Sequence, residues 1–227
     1  MDVRPIFEQA VELAEQTGRW WILALAAGFA GASLSAFDPE GGAALLQRGI
    51  DAARRSGSPY AIAAVSMAQG RTLGRLGMTD ASAAAFGVAI ERFMEIGDQR
   101  FVLAARSDLA HALRRGGRYD EALALYRETI GGWIHLGNRG AVANQLENIA
   151  FVDLATGNPD RAIRLLGAAD AVREVARSHM AFDEEPEHAA SVERLRSVMN
   201  ASAFDDGWAA GRALSQADAV ALALGDG

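Results

Sequence analysis

Cationic and polar side chains recur at a spacing of 40 residues along the middle of the chain. One series is Arg71, His111 and Phe151; one helical turn later come Arg75 and Arg115, with Arg114 beside them. Asn144 and Glu147 add polar groups near Phe151. Guanidinium groups bind carboxylates through charge-assisted hydrogen bonds. We therefore expect a groove for a protein or acidic peptide, or for a small ligand carrying a carboxylate. The alternative is a solvated surface on which these cations pair with nearby acids.

A second group of chemically active residues lies near position 180. His179 and His188 flank an acidic segment that contains Asp183, Glu184 and Glu185. Two histidines on one helix bind a metal when they are four residues apart, but these are nine apart. The segment is therefore predicted to be a solvated acidic loop, and no metal site is predicted.

The sequence contains none of the common catalytic motifs. It has no G-x-x-x-x-G-K-[ST] loop for phosphates and no G-x-S-x-G turn for a serine nucleophile. The absence of cysteine excludes thiolate chemistry and is compatible with a reducing, cytoplasmic location. A net charge of −7 argues against direct binding to nucleic acid. We predict no catalytic residue and no cofactor; a helical enzyme using the Arg/His surface or the 179–188 segment is a remote alternative.

Two interleaved glycine series define the elements that must position these residues. Gly57, Gly97 and Gly137 are 40 residues apart, and Gly77, Gly117 and Gly157 repeat with the same period, offset by 20. Each glycine follows a run with helical apolar spacing, where a left-handed residue ends a helix. Asp38-Pro39 and Asn158-Pro159 have the pattern of a capping residue before a proline at the first helical position. The pattern predicts pairs of helices joined by short turns.

These features predict an all-α solenoid of stacked helix hairpins. Residues 117–130 (GRYDEALALYRETI) and the preceding Leu109-Ala110 resemble a tetratricopeptide repeat, with Ala122 and Tyr126 in pattern. The usual period of that repeat is about 34 residues, so the helices here should be longer. The resemblance implies a tetratricopeptide-like α-α superhelix whose first helices line the concave face. We predict a half repeat at 1–18, pairs at 19–57, 58–97, 98–137 and 138–180, and a helical cap at 181–227.

Both ends of the chain carry further information. A helix over 3–16 has an apolar stripe (Ile6, Phe7, Ala10, Val11 and Ala14) with no preceding partner. We expect this face to contact the rest of a longer solenoid, or a second copy in a homodimer. The uncharged stretch 20–37 is only mildly apolar, so a buried helix is predicted rather than a membrane span. At the other end, Phe204, Trp208 and Leu214 should seal the last repeat.

The C-terminal segments 161–175 and 203–224 resemble the closing part of large actinobacterial regulators. Those proteins join an upstream signal-transduction ATPase to tetratricopeptide-like repeats, and some carry LuxR-type, antibiotic-regulator-type or nucleotide-cyclase domains. The resemblance covers roughly residues 40–224 and implies a sensor or interaction segment of a transcriptional or signalling regulator. ATPase and promoter-binding activities do not carry over, because the corresponding motifs are missing here. The alternative is a free-standing adaptor protein.

Overall fold

A computed structural model describes residues 4–180 and 184–225, and every regular element in those ranges is an α-helix. The prediction of an all-α fold is confirmed. The helices are α1 (Arg4–Gln16), α2 (Trp20–Leu34), α3 (Pro39–Ser56), α4 (Pro59–Arg75), α5 (Thr79–Glu95), α6 (Gln99–Arg115), α7 (Tyr119–His135), α8 (Arg139–Ala155), α9 (Pro159–Ala176), α10 (Glu185–Val198), α11 (Ala201–Arg212) and α12 (Gln216–Leu224).

The chain divides into two compact units, residues 1–118 and residues 119–227. In the first unit each helix packs on the next, and α4 also contacts both α2 and α6. This arrangement is a stack of helix hairpins. In the second unit α8 and α9 form the central hairpin, α7 packs on α8, and α10, α11 and α12 each contact α9. A single hairpin cannot bury its apolar face, and stacking provides the partner.

Left-handed residues end the helices at the predicted positions. All six glycines of the two series have positive φ, from 62° at Gly57 to 86° at Gly157. Glycine suits this conformation because it has no Cβ to clash with the carbonyl oxygen. The next position twenty residues on is Arg177, which adopts φ 50° without being glycine. The turn period therefore continues one step further than the glycines do.

Helices α3, α4, α6 and α8 start with a side-chain cap, but one predicted cap is wrong. The side chain of Asp38 accepts a hydrogen bond from the backbone N–H of Gly41, and Asn138 caps Ala141 in the same way. Asn158 precedes Pro159 at the first helical position but forms no such bond. Its amide instead donates to the hydroxyl of Thr156, at 3.2 Å, which turns the side chain away from the helix.

Equivalent positions of successive hairpins form the core. Large side chains repeat at Phe86, Tyr126 and Leu166, each no more than 1% exposed. Small ones repeat at Ser82, Ala122 and Ala162, each fully buried. The hydroxyl of Ser82 donates to the carbonyl of Gly70 at 2.7 Å, so the two helices of that hairpin are in close contact there. Residues 40 positions apart in the sequence therefore occupy equivalent buried positions in successive hairpins.

The first two helices leave apolar surface uncovered. In α1 the predicted stripe is split: Val11 and Ala14 are buried, whereas Ile6 is 58% exposed. The helix predicted within the uncharged stretch is α2, which buries seven residues but leaves Trp21 and Phe29 about half exposed. In the described part of the chain, no helix combines the length and apolar character that crossing a membrane requires.

The C-terminal helices close the second unit by a close helix crossing. In α11, Phe204 is buried and stacks on the half-buried Trp208, with ring centroids 6.4 Å apart. Gly207 and Gly211, one turn apart, face α9, and a Cβ on Gly211 would lie 2.1 Å from the carbonyl oxygen of Arg164. Only glycine allows the two backbones to approach this closely. The crossing fixes α11 on α9.

Gly211→Ala is predicted to destabilise the second unit. The added methyl group would meet backbone atoms that cannot move without shifting a helix, so we expect the free energy of unfolding to fall by about 1–3 kcal/mol. The matched control is Gly131→Ala in α7, where nothing lies within 4 Å of the added methyl group. That change should stabilise the helix by up to about 1 kcal/mol. Urea unfolding of both variants measures the difference; equal effects would contradict the close crossing.

Candidate binding surfaces

The first unit places the predicted cations of α4 and α6 among intramolecular partners. Arg71 forms an ion pair with Asp108 of α6, with both Nε and Nη2 2.7 Å from Oδ2. The Arg71 side chain is nevertheless 49% exposed. The ion pair joins two helices that occupy equivalent places in successive hairpins. We name the exposed side of α4 and α6 that carries Arg71, Arg75, His111 and Arg115 the cationic surface.

The other members of the cationic surface differ in exposure. Arg75 donates from Nη2 to the carbonyl oxygen of Ala32, at 2.8 Å, near the end of α2. Arg115 is exposed and His111 is half-buried, and both interact within the chain. Arg114 also interacts within the chain and is only 6% exposed. Arg114 is therefore part of the interior, and Arg75 and Arg115 are the exposed cations near the ends of α4 and α6.

In the second unit the predicted residue Glu147 forms a buried ion pair. Its carboxylate in α8 is held by both Nε and Nη2 of Arg173 in α9, and the Nε–Oε1 distance is 3.3 Å. The two side chains are 4% and 11% exposed. A buried ion pair is stable only if its geometry compensates for lost hydration, and the two-point contact of the guanidinium supplies that geometry.

The start of α10 covers the other predicted polar residue of α8. Asn144 donates from Nδ2 to Oε1 of Glu184, at 2.7 Å. One turn into α10, Nδ1 of His188 lies 3.4 Å from Oε1 of Glu147 without forming a hydrogen bond to it. Phe151, one turn beyond Glu147, is half-buried. The structure thus brings Asn144 and Glu147 together beneath a segment of the same chain.

Part of the segment predicted to be a solvated acidic loop packs against α8 instead. His188 faces Glu147 in α8, and Glu184 faces Asn144. Asp183 lies outside the described residues. Within 4–180 and 184–225, no three His, Asp or Glu side chains are grouped as a metal ion would require.

A second buried acid lies near the end of α8. Asp153 is 4% exposed, and its Oδ2 accepts from Nε of Arg161 at 2.7 Å. Burial raises the pKa of the Asp153 carboxyl above its ordinary value of 3.8, and the bond to Arg161 offsets that rise only in part. The ionised carboxylate is therefore held in the folded protein at a cost in free energy.

Sequence reasoning missed Arg173 and the position of His188 beside Glu147, but a signal for Arg173 was present. Forty-residue steps backward from Arg173 lead to Trp133 and Phe93, and from Glu147 to Ser107 and Met67. Met67 and Phe93 belong to one apolar cluster of the first unit. Opposite charges thus stand at two positions of one repeat where the first unit has the apolar residues Met67 and Phe93. His188 has no such signal, because it follows the last repeat.

Comparison with known proteins supports this description of the hairpins. Residues 101–174 match a family model described as Tetratricopeptide repeat. The chain contains a tetratricopeptide-like repeat region. Such repeats are typically non-catalytic scaffolds that mediate protein–protein interaction. No curated protein matches the chain.

The Asp153 carboxyl is predicted to make stability depend on pH. Because its folded-state pKa lies above 3.8, the folded protein holds a proton that the unfolded chain releases. The contribution of this group to the free energy of unfolding therefore rises as pH falls through the raised pKa towards 3.8. The Asp153→Asn variant has no carboxyl at this position, so it lacks this pH-dependent contribution to the free energy of unfolding. Urea unfolding of both proteins at about pH 4 and about pH 7 should show the wild type gaining on the variant at the lower pH; a constant difference would contradict it.

The protein is predicted to tolerate replacement of both Glu147 and Arg173 by apolar residues, but not replacement of one of them alone. Glu147→Met alone leaves a buried guanidinium without its partner and should lower the free energy of unfolding by about 3–5 kcal/mol. Glu147→Met with Arg173→Phe restores the residues of the first unit's cluster, so we expect stability near or up to about 4 kcal/mol above the wild type. Thermal and urea unfolding measure both. A double variant as unstable as the single one would show that the pair stabilises this core.

Proposed function

We propose that this chain is a non-catalytic binding domain that recognises a protein or peptide partner, or a small ligand carrying a carboxylate, on its cationic surface. The observation that carries the proposal is the exposed guanidinium pattern on α4 and α6. Arg71 retains half of its exposure although it is paired, and Arg115 is exposed at the end of the equivalent helix. An acidic ligand can use the remaining N–H groups in charge-assisted hydrogen bonds.

The ion pair between Arg71 and Asp108 also supports an acidic partner. Asp108 already provides a carboxylate to this surface, with its side chain 21% exposed. A ligand carboxylate would bind beside it and share the guanidinium, or replace it. The net charge of −7 makes a cationic surface unusual for this chain and would disfavour encounter with most acidic proteins. Specific recognition would therefore depend on local geometry.

We further propose that the domain is the C-terminal portion of a multidomain cytoplasmic regulator with an upstream ATPase domain. The resemblance of 161–175 and 203–224 to regulator C-termini supports this context. The exposed side chains of Ile6, Leu13 and Phe29 support a neighbouring element on α1 and α2, since each is about half exposed. In this arrangement ligand binding would be transmitted through the stacked hairpins. An ATPase domain encoded upstream in the same reading frame is the observation that tests the context.

Charge reversal on the cationic surface tests the binding proposal. Arg75→Glu with Arg115→Glu should weaken binding of a fluorescent Asp/Glu-rich peptide at least about tenfold, because attraction is replaced by repulsion. The wild-type affinity should also fall as salt is raised. Fluorescence anisotropy at low and physiological salt measures both effects.

The matched control is Arg54→Glu on α3, an exposed arginine that is outside the cationic surface and pairs with Asp51. It changes net charge in the same direction and should leave affinity nearly unaltered. Equal loss in the control would indicate a general charge effect, and salt-insensitive binding that survives the double reversal would sink the proposal.

A further inference from the structure

The first half of α10 is attached to the second unit mainly by polar contacts. Its inner side carries Glu184 at the cap, His188 one turn on, and Leu195 two turns later. Of these only Leu195 is fully buried, and it is the one buried residue of the helix. Near Leu195, Arg196 lies 5.1 Å from the ring centre of Phe204 in α11. The apolar attachment is therefore at the C-terminal half of α10, and the N-terminal half is held by polar groups that include Glu184 and His188.

Polar attachment of this kind is easily opened. A contact such as Asn144–Glu184 exchanges for contacts with water when the helix leaves, so its net contribution to stability is small. Segments that bury little apolar surface open locally at a fraction of the global unfolding free energy. The N-terminal half of α10 therefore can leave α8 without unfolding the hairpin beneath it.

The surface under α10 is pre-organised for a ligand. Nδ2 of Asn148 donates to the backbone carbonyl of Asn144 at 2.8 Å and also lies 3.5 Å from its side-chain oxygen, so the two amides are side by side on α8. Arg173 fixes the carboxylate of Glu147 from the opposite side. When α10 is absent, Asn144 presents a hydrogen-bond donor and Glu147 presents an acceptor, both held by neighbours that do not depend on α10.

We propose that this α8–α9 surface binds a helical segment of another protein, and that α10 is its internal occupant. The chemistry of the partner follows from the contacts of α10: a carboxylate that meets Asn144, an imidazole or similar polar side chain four residues later that lies against Glu147, and an apolar residue two turns beyond. The inference rests on the proposed function in that it treats the chain as a protein-binding domain, but it concerns a different surface from the cationic one.

Competition between α10 and a copy of itself tests the proposal. The probe is a fluorescent peptide of residues 184–198, added to the full chain. In the wild type α10 occupies the surface, so only the fraction of molecules in which α10 has left α8 can bind the peptide. The apparent affinity is reduced in proportion to that fraction. Glu184→Ala with His188→Ala removes the contacts of α10 with Asn144 and Glu147, so the peptide should bind this variant about tenfold or more tightly than the wild type.

Two further variants make the result specific. Glu193→Gln changes an exposed residue of α10 whose ion pair with Arg196 lies within the same helix, and this variant should bind the peptide as the wild type does. Adding Asn144→Ala to the double variant removes the donor on α8 and should abolish most of the gain. His188→Ala alone should give a smaller gain, and circular dichroism checks that each variant remains helical.

The outcomes separate this proposal from the preceding one. If the double variant binds the peptide no more tightly than the wild type, or if Asn144→Ala leaves the gain intact, the α8–α9 surface is not a docking site. Neither result bears on the acidic-peptide titration, which uses Arg75 and Arg115 in the first unit. Faster amide exchange at 185–191 in the double variant, with α8 unchanged, would support the opening of α10.

Discussion

A left-handed residue every twenty positions, from Gly57 to Arg177, is the constraint on which the rest of the structure depends. It ends each helix from α3 to α9 after about the same number of residues, so successive helices start in the same register. Residues 40 apart therefore occupy equivalent places. Phe86, Tyr126 and Leu166 are all buried because each meets the same kind of environment. A turn of different length would rotate the following helix and expose its apolar face.

Because residues 40 apart occupy equivalent places, a charged residue at a position that is apolar in another repeat needs a physical explanation. A charged residue on a solvated helix face needs no explanation, but Glu147 and Arg173 stand at positions where Met67 and Phe93 form an apolar core. Each charge alone would be unfavourable there, and together they satisfy one another. The exception occurs in the last hairpin, where α10 rather than another repeat covers α8. The charged pair provides a polar contact for a segment that lacks the apolar stripe of a repeat helix.

The two candidate surfaces use polar groups in different ways. On the cationic surface the arginines connect helices: Arg71 reaches α6, and Arg75 reaches a carbonyl of α2. These contacts leave much of each guanidinium exposed and would stabilise the stack even without a ligand. On the α8–α9 surface the polar groups are covered by another segment of the chain. A ligand at the cationic surface would share an arginine side chain with its partner in the protein, whereas a ligand at the α8–α9 surface would have to displace α10.

The sequence by itself determined the helices, their turns and the repeating core. Helix ends and apolar faces depend on the types of residues that are close together in the sequence, so they can be predicted from it. The small and large residues at Ala122 and Tyr126 indicated the packing class for the same reason. Only the tertiary structure decided which polar residues are exposed. Arg114 and Glu147 looked like surface residues, since a one-dimensional pattern does not reveal the segment that packs above a helix. The covering of Glu147 by His188 joins residues 41 positions apart outside the repeat, and such a contact exists only once the helices have packed.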